Sequence, residues 1–317
     1  MSRALELIRP GPLALIQDQG RFGHAHLGVG RSGAADRAAF AAGNRLVGNG
    51  PGAAAIECTL GGLVARARGD LLVALTGAPA AMEIDHSPVP HATAQRLRNG
   101  ETLVLRTPRT GLRSYLAVRG GVDVPGVLGS RSTDTLSGLG PAPLAAGVVL
   151  PIGAQPNDDV PAPVPVPSGT NTPTGVVGLR VQAGPRDDWF DRPSDLTVGE
   201  WVVSPHSNRV GLRLDRPVPN GDAVAAPALL HNTSRELPSE GVVLGAIQVP
   251  PSGQPVLFLS DHPVTGGYPV VAVVLDRDID LAAQIRPGNR LRFIGFSDSW
   301  PREPEIRAEL EPTKEQR

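Results

Sequence analysis

The chain has 317 residues, 40% of them hydrophobic and 19% charged, with a net charge of −1. This excludes global disorder and leaves room for about two domains. It also argues against nucleic-acid binding, because no basic stripe stands out and aromatics make up only 3% of the chain.

No apolar stretch is long enough to span a bilayer and no signal-peptide core follows Met1, so a cytoplasmic protein with no membrane contact is expected. The single cysteine, Cys58, excludes an intrachain disulfide framework and a cysteine-based zinc cluster. The one lysine, Lys314, lies in a charged tail. Its position excludes a Gly-Lys-Ser/Thr phosphate loop, a Schiff-base lysine, a Ser-Lys amidase centre and a biotin attachment site in the folded part. Gly 38 and Pro 33 punctuate short Val- and Leu-rich runs. That pattern predicts a mainly β protein with a few helices, arranged as two β-rich domains.

In chain order, residues 1–155 form the N-terminal β-rich domain. "GPLALIQDQG" predicts a strand entering a turn. "SGAADRAAFAAGNRLVGNGPG" predicts a helix near 36–47, capped by Ser32 or Asp36, with Phe40, Gly43 and Val47 on one face and Gly48 as its stop. "GDLLVALTG" alternates Leu71, Val73 and Leu75 as a half-buried strand. "ETLVLRT" and "RSYLAVRGGV" continue in that style. Residues 156–175 read as a proline-rich linker. Residues 176–297 form a C-terminal β-rich domain in which "PPSG" joins two apolar runs as a hairpin turn. Residues 298–317 are a charged tail.

Polar clusters mark candidate sites. "QDQGRFG" offers Gln17, Asp18 and Arg21 around a glycine turn, either as a cradle for a carboxylate or amide or as an Asx-type turn with an internal Arg–Asp pair. "GVGRSGAADRAA" places Ser32 ahead of the helix, as an anion contact or a cap. "VLGSRSTDT" sets Arg131 among hydroxyls. "SPHSNRVGLRL" supplies Ser207, Asn208, Arg209 and Arg213. A fifth set joins Glu240, Gln248 and Asp261 to "VTGGYP", where Gly266 and Gly267 allow close approach or positive φ, and Tyr268 could turn its hydroxyl inward. No G-x-S-x-G elbow occurs, and the seven histidines show no metal-ligand spacing, so no metal is expected.

Taken together and in order, these segments resemble the KipA-like, or allophanate hydrolase subunit 2, family. It is also described as biotin-dependent carboxyltransferase-like and includes the C subunit of 5-oxoprolinase. The matching stretches run from "IQDQGRFGHAHLGVGRSGAADRAAFAAGNRLVGN" through "AAIECTLGG", "LTGAPA", "RSYLAVRGGVDVPGVLGSRSTDT" and "SPHSNRVGLRL" to "GAIQVPPSGQPVLFLSDHPVTGGYPVVAVV" and "LAAQIRPGNRLRF". The resemblance implies a cyclophilin-like β-barrel in the C-terminal domain. It also implies a C subunit that acts with a KipI-like partner (the B subunit) and a LamB/YcsF-like partner (the A subunit). Together they would open the lactam of 5-oxoproline to glutamate with ATP as co-substrate. The alternatives are a carboxyltransferase half using carboxybiotin from a separate carrier, and a non-catalytic antagonist of a KipI-like kinase inhibitor. Some relatives carry a lysine soon after the Gly-Gly-Tyr-Pro motif, where this chain has Val270 and Val271.

On residue chemistry, a ring bearing a carboxylate and a lactam amide calls for arginine and for Asn/Gln/Asp. Arg21, Asn208 and Arg209 lead the candidate binders, supported by Gln17, Ser32, Arg131, Ser207, Arg213, Gln248, Gly266 and Gly267. Asp18, Glu240 and Tyr268 are the candidates for orientation or proton transfer.

Overall fold

A computed structural model describes residues 3–156, 175–217 and 228–295. The expected proline-rich linker, apart from its end residues, and the charged tail lie outside the described residues.

The N-terminal part stacks two antiparallel sheets. One orders its strands as Val149–Pro151, Ala4–Arg9, Val64–Arg68, Thr102–Leu105, Met82–Ile84 and Ser87–Val89. The other runs Leu13–Gln17, Ala55–Thr59, Arg113–Val118, Leu71–Gly77 and Ala94–Leu97. Between them lies an aliphatic core that includes Leu5, Leu7, Ile56, Val73, Leu75 and Leu116. With so few aromatics, branched aliphatics and alanine fill this space, as the composition requires.

Helix α1 (Arg37–Leu46) covers the opposite face of the five-stranded sheet. Asp36 caps it by accepting from the Ala39 N–H at 2.9 Å. Ser32 is not the cap; it sits at φ 53° ahead of the helix. The helix packs closely because it meets small residues. A Cβ on Gly43 would come within 3.0 Å of Thr76 Oγ1 and 3.3 Å of Ala117 Cβ. The strand Leu71–Gly77 is therefore buried on both faces rather than one. Val73 and Leu75 enter the sandwich core, while Ala74 lies in the cluster under α1 and the Thr76 hydroxyl donates to Ala39 O at 2.7 Å.

The C-terminal part is the closed barrel expected of it. Its seven strands run Val177–Ala183, Val270–Val274, Ala246–Gln248, Val256–Phe258, Gly211–Asp215, Trp201–Val203 and Arg290–Ile294. Closure comes from parallel pairing of the first and last strands, Val177↔Leu291 to Arg180↔Ile294. The turn read from "PPSG" joins Ala246–Gln248 to Val256–Phe258 as antiparallel neighbours. A second helix, α2 (Asp276–Ala282), follows Val270–Val274. The result is mainly β, with two α-helices among the described residues. No helix among the described residues is long and apolar enough to cross a membrane.

Polar groups join the two parts. Gln284 Oε1 accepts from the N–H groups of Leu112 and Arg113, and its amide donates to Asp36 Oδ2 at 2.7 Å. Arg37 on α1 pairs with Asp276 at 2.7 Å and Asp280 at 3.0 Å on α2. Arg286 donates to the carbonyls of Gly111 and Pro108.

Candidate functional site

At one end of the five-stranded sheet, a buried ionic seam crosses between the parts. Glu57 stands in the strand Ala55–Thr59, and Arg209 follows a barrel turn at 204–208. The Arg209 guanidinium donates to Glu57 Oε1, to Asp261 at 2.9 and 3.0 Å, and to the Gly33 carbonyl at 2.6 Å. All three ionic side chains are 2% exposed or less. Burial opposes Arg209's charge, but Glu57 and Asp261 outweigh it and raise its pKa. Burial likewise opposes an ionised Asp261, yet Arg209 and the Thr135 N–H and hydroxyl hold its pKa below the usual carboxylate range. Glu57 Oε2 accepts from the Ala35 N–H at 3.0 Å and the Tyr115 hydroxyl at 2.8 Å. Tyr115 in turn accepts from the Asp36 N–H at 2.7 Å. Among the described residues Asp36 pairs with no arginine; burial pushes its pKa up to about 6 despite hydrogen bonds from Gln284 and Ala39.

The first polar cluster organises loops. Asp18 accepts from the Gly20 N–H (2.8 Å), Ser130 Oγ (2.6 Å), Ser132 Oγ (2.5 Å) and the Arg131 N–H (2.6 Å). With four donors on two oxygens and 7% exposure, Asp18 ties the 18–21 turn to the 130–132 loop. There the carboxylate orders backbone, and Asp18 also lines a cleft of about 290 Å³. Gln17 donates to the Thr133 carbonyl at 2.8 Å. Arg21 is 2% exposed and donates to the Ser132 carbonyl; its Nε and Nη1 have no partner among the described residues. Ser32 Oγ donates to Asp261 Oδ1 at 2.7 Å and also lies 3.1 Å from the Thr133 carbonyl. Arg131 turns away to the Val124 carbonyl and Asp123. The sequence clusters of Gln17, Asp18, Arg21, Ser32 and Arg209 thus do converge, as a buried seam in which most polar groups bond one another while Arg21 Nε and Nη1 and Gln17 Oε1 stay unpartnered among the described residues. Arg209, expected as a substrate binder, is tied to Glu57, Asp261 and the Gly33 carbonyl, and it also lines a cleft of about 440 Å³.

Clefts flank the seam. One, of about 290 Å³, has walls that include Phe22, Arg31, Ser32, Phe40, Ser260 and His262. Another, of about 440 Å³, is mostly apolar and is rimmed by Ser207 and Asn208. There Asn208 Oδ1 caps its own turn by accepting from Val210 N–H (2.8 Å) and Gly211 N–H (3.3 Å), and Ser207 Oγ accepts from Arg213 N–H (3.0 Å). Arg213 points its side chain from an exposed position.

The Gly-Gly-Tyr-Pro set is not gathered at the seam. Thr265–Gly266 pairs with Glu240–Gly241 in a two-stranded sheet, and Glu240 is bound by Arg186. Neither Gly266 nor Gly267 has positive φ. Gly266 is needed for close approach, though to a protein group: a Cβ there would meet the Gln248 amide at 2.5 Å. Gln248 Nε2 donates to the Tyr268 carbonyl at 2.8 Å. Tyr268 is 49% exposed and lines a wide cavity with Trp189 and Arg235, so its hydroxyl does not enter the seam.

Sequence reasoning missed Glu57, whose signal was a lone carboxylate inside the apolar run "AAIECTLGG". It also missed Phe22, Arg31 and Ser260, which carry no spacing signal. Cys58 is no candidate nucleophile, since burial pushes its thiol up to about 12.

Comparison with known proteins places the chain. Residues 27–295 match the family model "Carboxyltransferase domain, subdomain A and B". The chain is 37% identical to the C subunit of 5-oxoprolinase from Escherichia coli (strain K12), over 92% of this chain and 91% of that protein. It is 31% identical to urea amidolyase of Saccharomyces cerevisiae over 93% of this chain, but spans 17% of that protein. The crystal structure of TTHA0988 superposes with a TM-score of 0.80 at 35% identity, covering 93% of this chain and 56% of that one. These matches bear out the resemblance read from the sequence motifs: the chain belongs to the carboxyltransferase family built from subdomains A and B, the family that includes the C subunit of 5-oxoprolinase.

Proposed function

We propose that this chain is the C subunit of an ATP-dependent 5-oxoprolinase that opens the lactam of 5-oxoproline to glutamate in the cytoplasm. The observation that carries the reading is similarity to a protein named for that same role, along nearly the whole of both chains. The reading includes two partners, one KipI-like (the B subunit) and one LamB/YcsF-like (the A subunit). A five-membered lactam is an unactivated amide, which is why ATP is consumed as co-substrate. The chain has no Gly-Lys-Ser/Thr loop, so nucleotide binding is assigned to a partner or to a shared interface. The interdomain cleft beside Arg31 is the ligand pocket in this reading. Its volume suits a small ring, and a cleft between two folded units is a common place for such sites.

The test is reconstitution. The two partners mixed with this chain should release glutamate from 5-oxoproline only when ATP is present. Full-rate release by the two partners without this chain would reject the assignment.

A second reading, carboxyl transfer, is favoured by the family description and by the urea amidolyase relative. Biotin would then arrive on a separate carrier, because the folded part of this chain has no lysine to hold it. Avidin separates the readings: lactam opening continues in its presence, and carboxyl transfer stops.

A further inference from the structure

We propose that Arg31, stacked on Phe22, is the carboxylate-holding subsite of the interdomain cleft, and that the ligand is a small planar ring carrying one carboxylate and one amide. The inference rests on the 5-oxoprolinase reading for the identity of the ring, and on the structure alone for the carboxylate subsite.

The Arg31 guanidinium lies 4.0 Å from the centroid of the Phe22 ring. Among the described residues, its side chain has neither an ion pair nor a hydrogen bond. Its neighbour Arg37 is spent on Asp276 and Asp280. Partial burial, and after it the nearby Arg37, lower the Arg31 pKa against an opposing pull from Asp276. A cation with no ion pair or hydrogen bond of its own, set beside a second cation and only partly offset by Asp276, favours an incoming anion. Phe22 is 58% exposed, so apolar surface remains open around the face that the guanidinium covers. A small ring set against that open surface would cover it while its carboxylate reached the guanidinium fork.

The pair is held in place by the backbone. Arg21 N–H donates to the Arg31 carbonyl at 2.7 Å, and Ala34 N–H donates to the Asp18 carbonyl at 3.0 Å. Two glycines let these segments zip together. A Cβ on Gly20 would fall 2.6 Å from the Arg31 carbonyl oxygen, and one on Gly33 would fall 2.9 Å from the Gln19 backbone. Both take positive φ, at 92° and 96°.

The rest of the cleft complements an amide. Asp18 and Ser32 are already committed to protein partners. Ser260 Oγ has no hydrogen-bond partner among the described residues and can donate to a carbonyl. His262 Nδ1 lies 2.7 Å from the Pro263 carbonyl, which can only accept. The proton therefore sits on Nδ1, and Nε2 of the neutral ring is left as an acceptor for a lactam N–H. Phe40 and Leu244 supply apolar wall.

The test uses the complex of all three proteins with 5-oxoproline and with its uncharged carboxamide. For Arg31→Met, the KM for 5-oxoproline should rise about tenfold or more with kcat nearly unchanged, as expected when a binding charge is lost. The preference for carboxylate over carboxamide should collapse, and Arg31→Lys should restore part of it. Arg31 is exposed, so the thermal midpoint should not move. An active wild-type complex whose KM and carboxylate preference survive Arg31→Met overturns the subsite and leaves the 5-oxoprolinase reading standing. If the wild-type complex releases no glutamate, that reading fails instead. Calorimetric titration of 5-oxoproline into the full chain then decides the subsite: binding lost in Arg31→Met supports it, and no binding or unchanged binding overturns it.

Discussion

Two arginines, Arg209 and Arg31, sit on either side of Ser32 and behave in opposite ways. Arg209 is buried and its guanidinium is held by Glu57, Asp261 and the Gly33 carbonyl. Arg31 is exposed on an aromatic ring and has no ion pair or hydrogen bond among the described residues. From residue type alone Arg209 is the better ligand candidate, since it lies in a dense polar motif. The proposed subsite reverses the order, because a guanidinium binds a ligand with donors that the protein has not already used. A buried pair is also held by its surroundings: removing one partner strands the other charge in a low dielectric.

The contrast can be broken at several points. The largest effect is expected for Arg209→Met, which leaves Asp261 buried without its arginine and Glu57 with only Arg113, 3.6 Å away. A loss of about 3–5 kcal/mol is expected from urea unfolding. The double variant Arg209→Met with Glu57→Gln should lose less than the sum of the two singles, because the residues share one network.

Next in size is the pH dependence set by Asp36. Its pKa is raised from 3.8 to about 6 in the folded chain. The unfolded chain therefore binds fewer protons between those values, and stability falls as pH rises through that window, by about 3 kcal/mol. Above about pH 6 the penalty is complete. Asp261 acts with the opposite sign: its lowered pKa gives stability that is present above its unfolded value and lost as pH falls below it. Asp36→Asn keeps a capping side chain and should remove the falling limb between about pH 4 and 6 in urea midpoints. A falling limb that persists in Asp36→Asn would assign it to another group.

A smaller pair of effects separates the two glycines of the Gly-Gly-Tyr-Pro motif. Gly266→Ala drives a Cβ into the Gln248 amide and should cost about 1–3 kcal/mol. Gly267→Ala has room, with Leu237 O at 3.7 Å as its nearest contact, and should stay within about 0.5 kcal/mol. Equal costs at both positions would contradict the packing reason given for Gly266.

Much of this molecule is legible in its sequence because local rules and tertiary packing agree. The cap-to-glycine pattern marks α1 within a residue or so, and the "PPSG" hairpin follows from turn chemistry alone. The strand Leu71–Gly77 reads as having one buried face because alanine and threonine look solvent-tolerant; they are small so that α1 can sit on them. Site residues are harder. Polar motifs identify where the chain is dense in hydrogen-bonding groups, and at Asp18 and Ser32 those groups serve one another across 112 and 229 residues of sequence. No local pattern reports such partners. Glu57 is visible only as an anomaly, a carboxylate in an apolar strand. Arg31 and Phe22 lie within polar stretches of sequence but carry no meaning until the fold pairs them.

The most direct measurement compares Arg31→Met and Arg209→Met in one reconstituted complex, recording both the KM for 5-oxoproline and the thermal midpoint of the chain. The expected result is a clean split. Arg31→Met raises KM and leaves the midpoint in place, whereas Arg209→Met lowers the midpoint and leaves KM unchanged in the fraction that remains folded. A raised KM with an unchanged midpoint in Arg209→Met, together with normal kinetics in Arg31→Met, would contradict the division of labour between the buried seam and the open cleft.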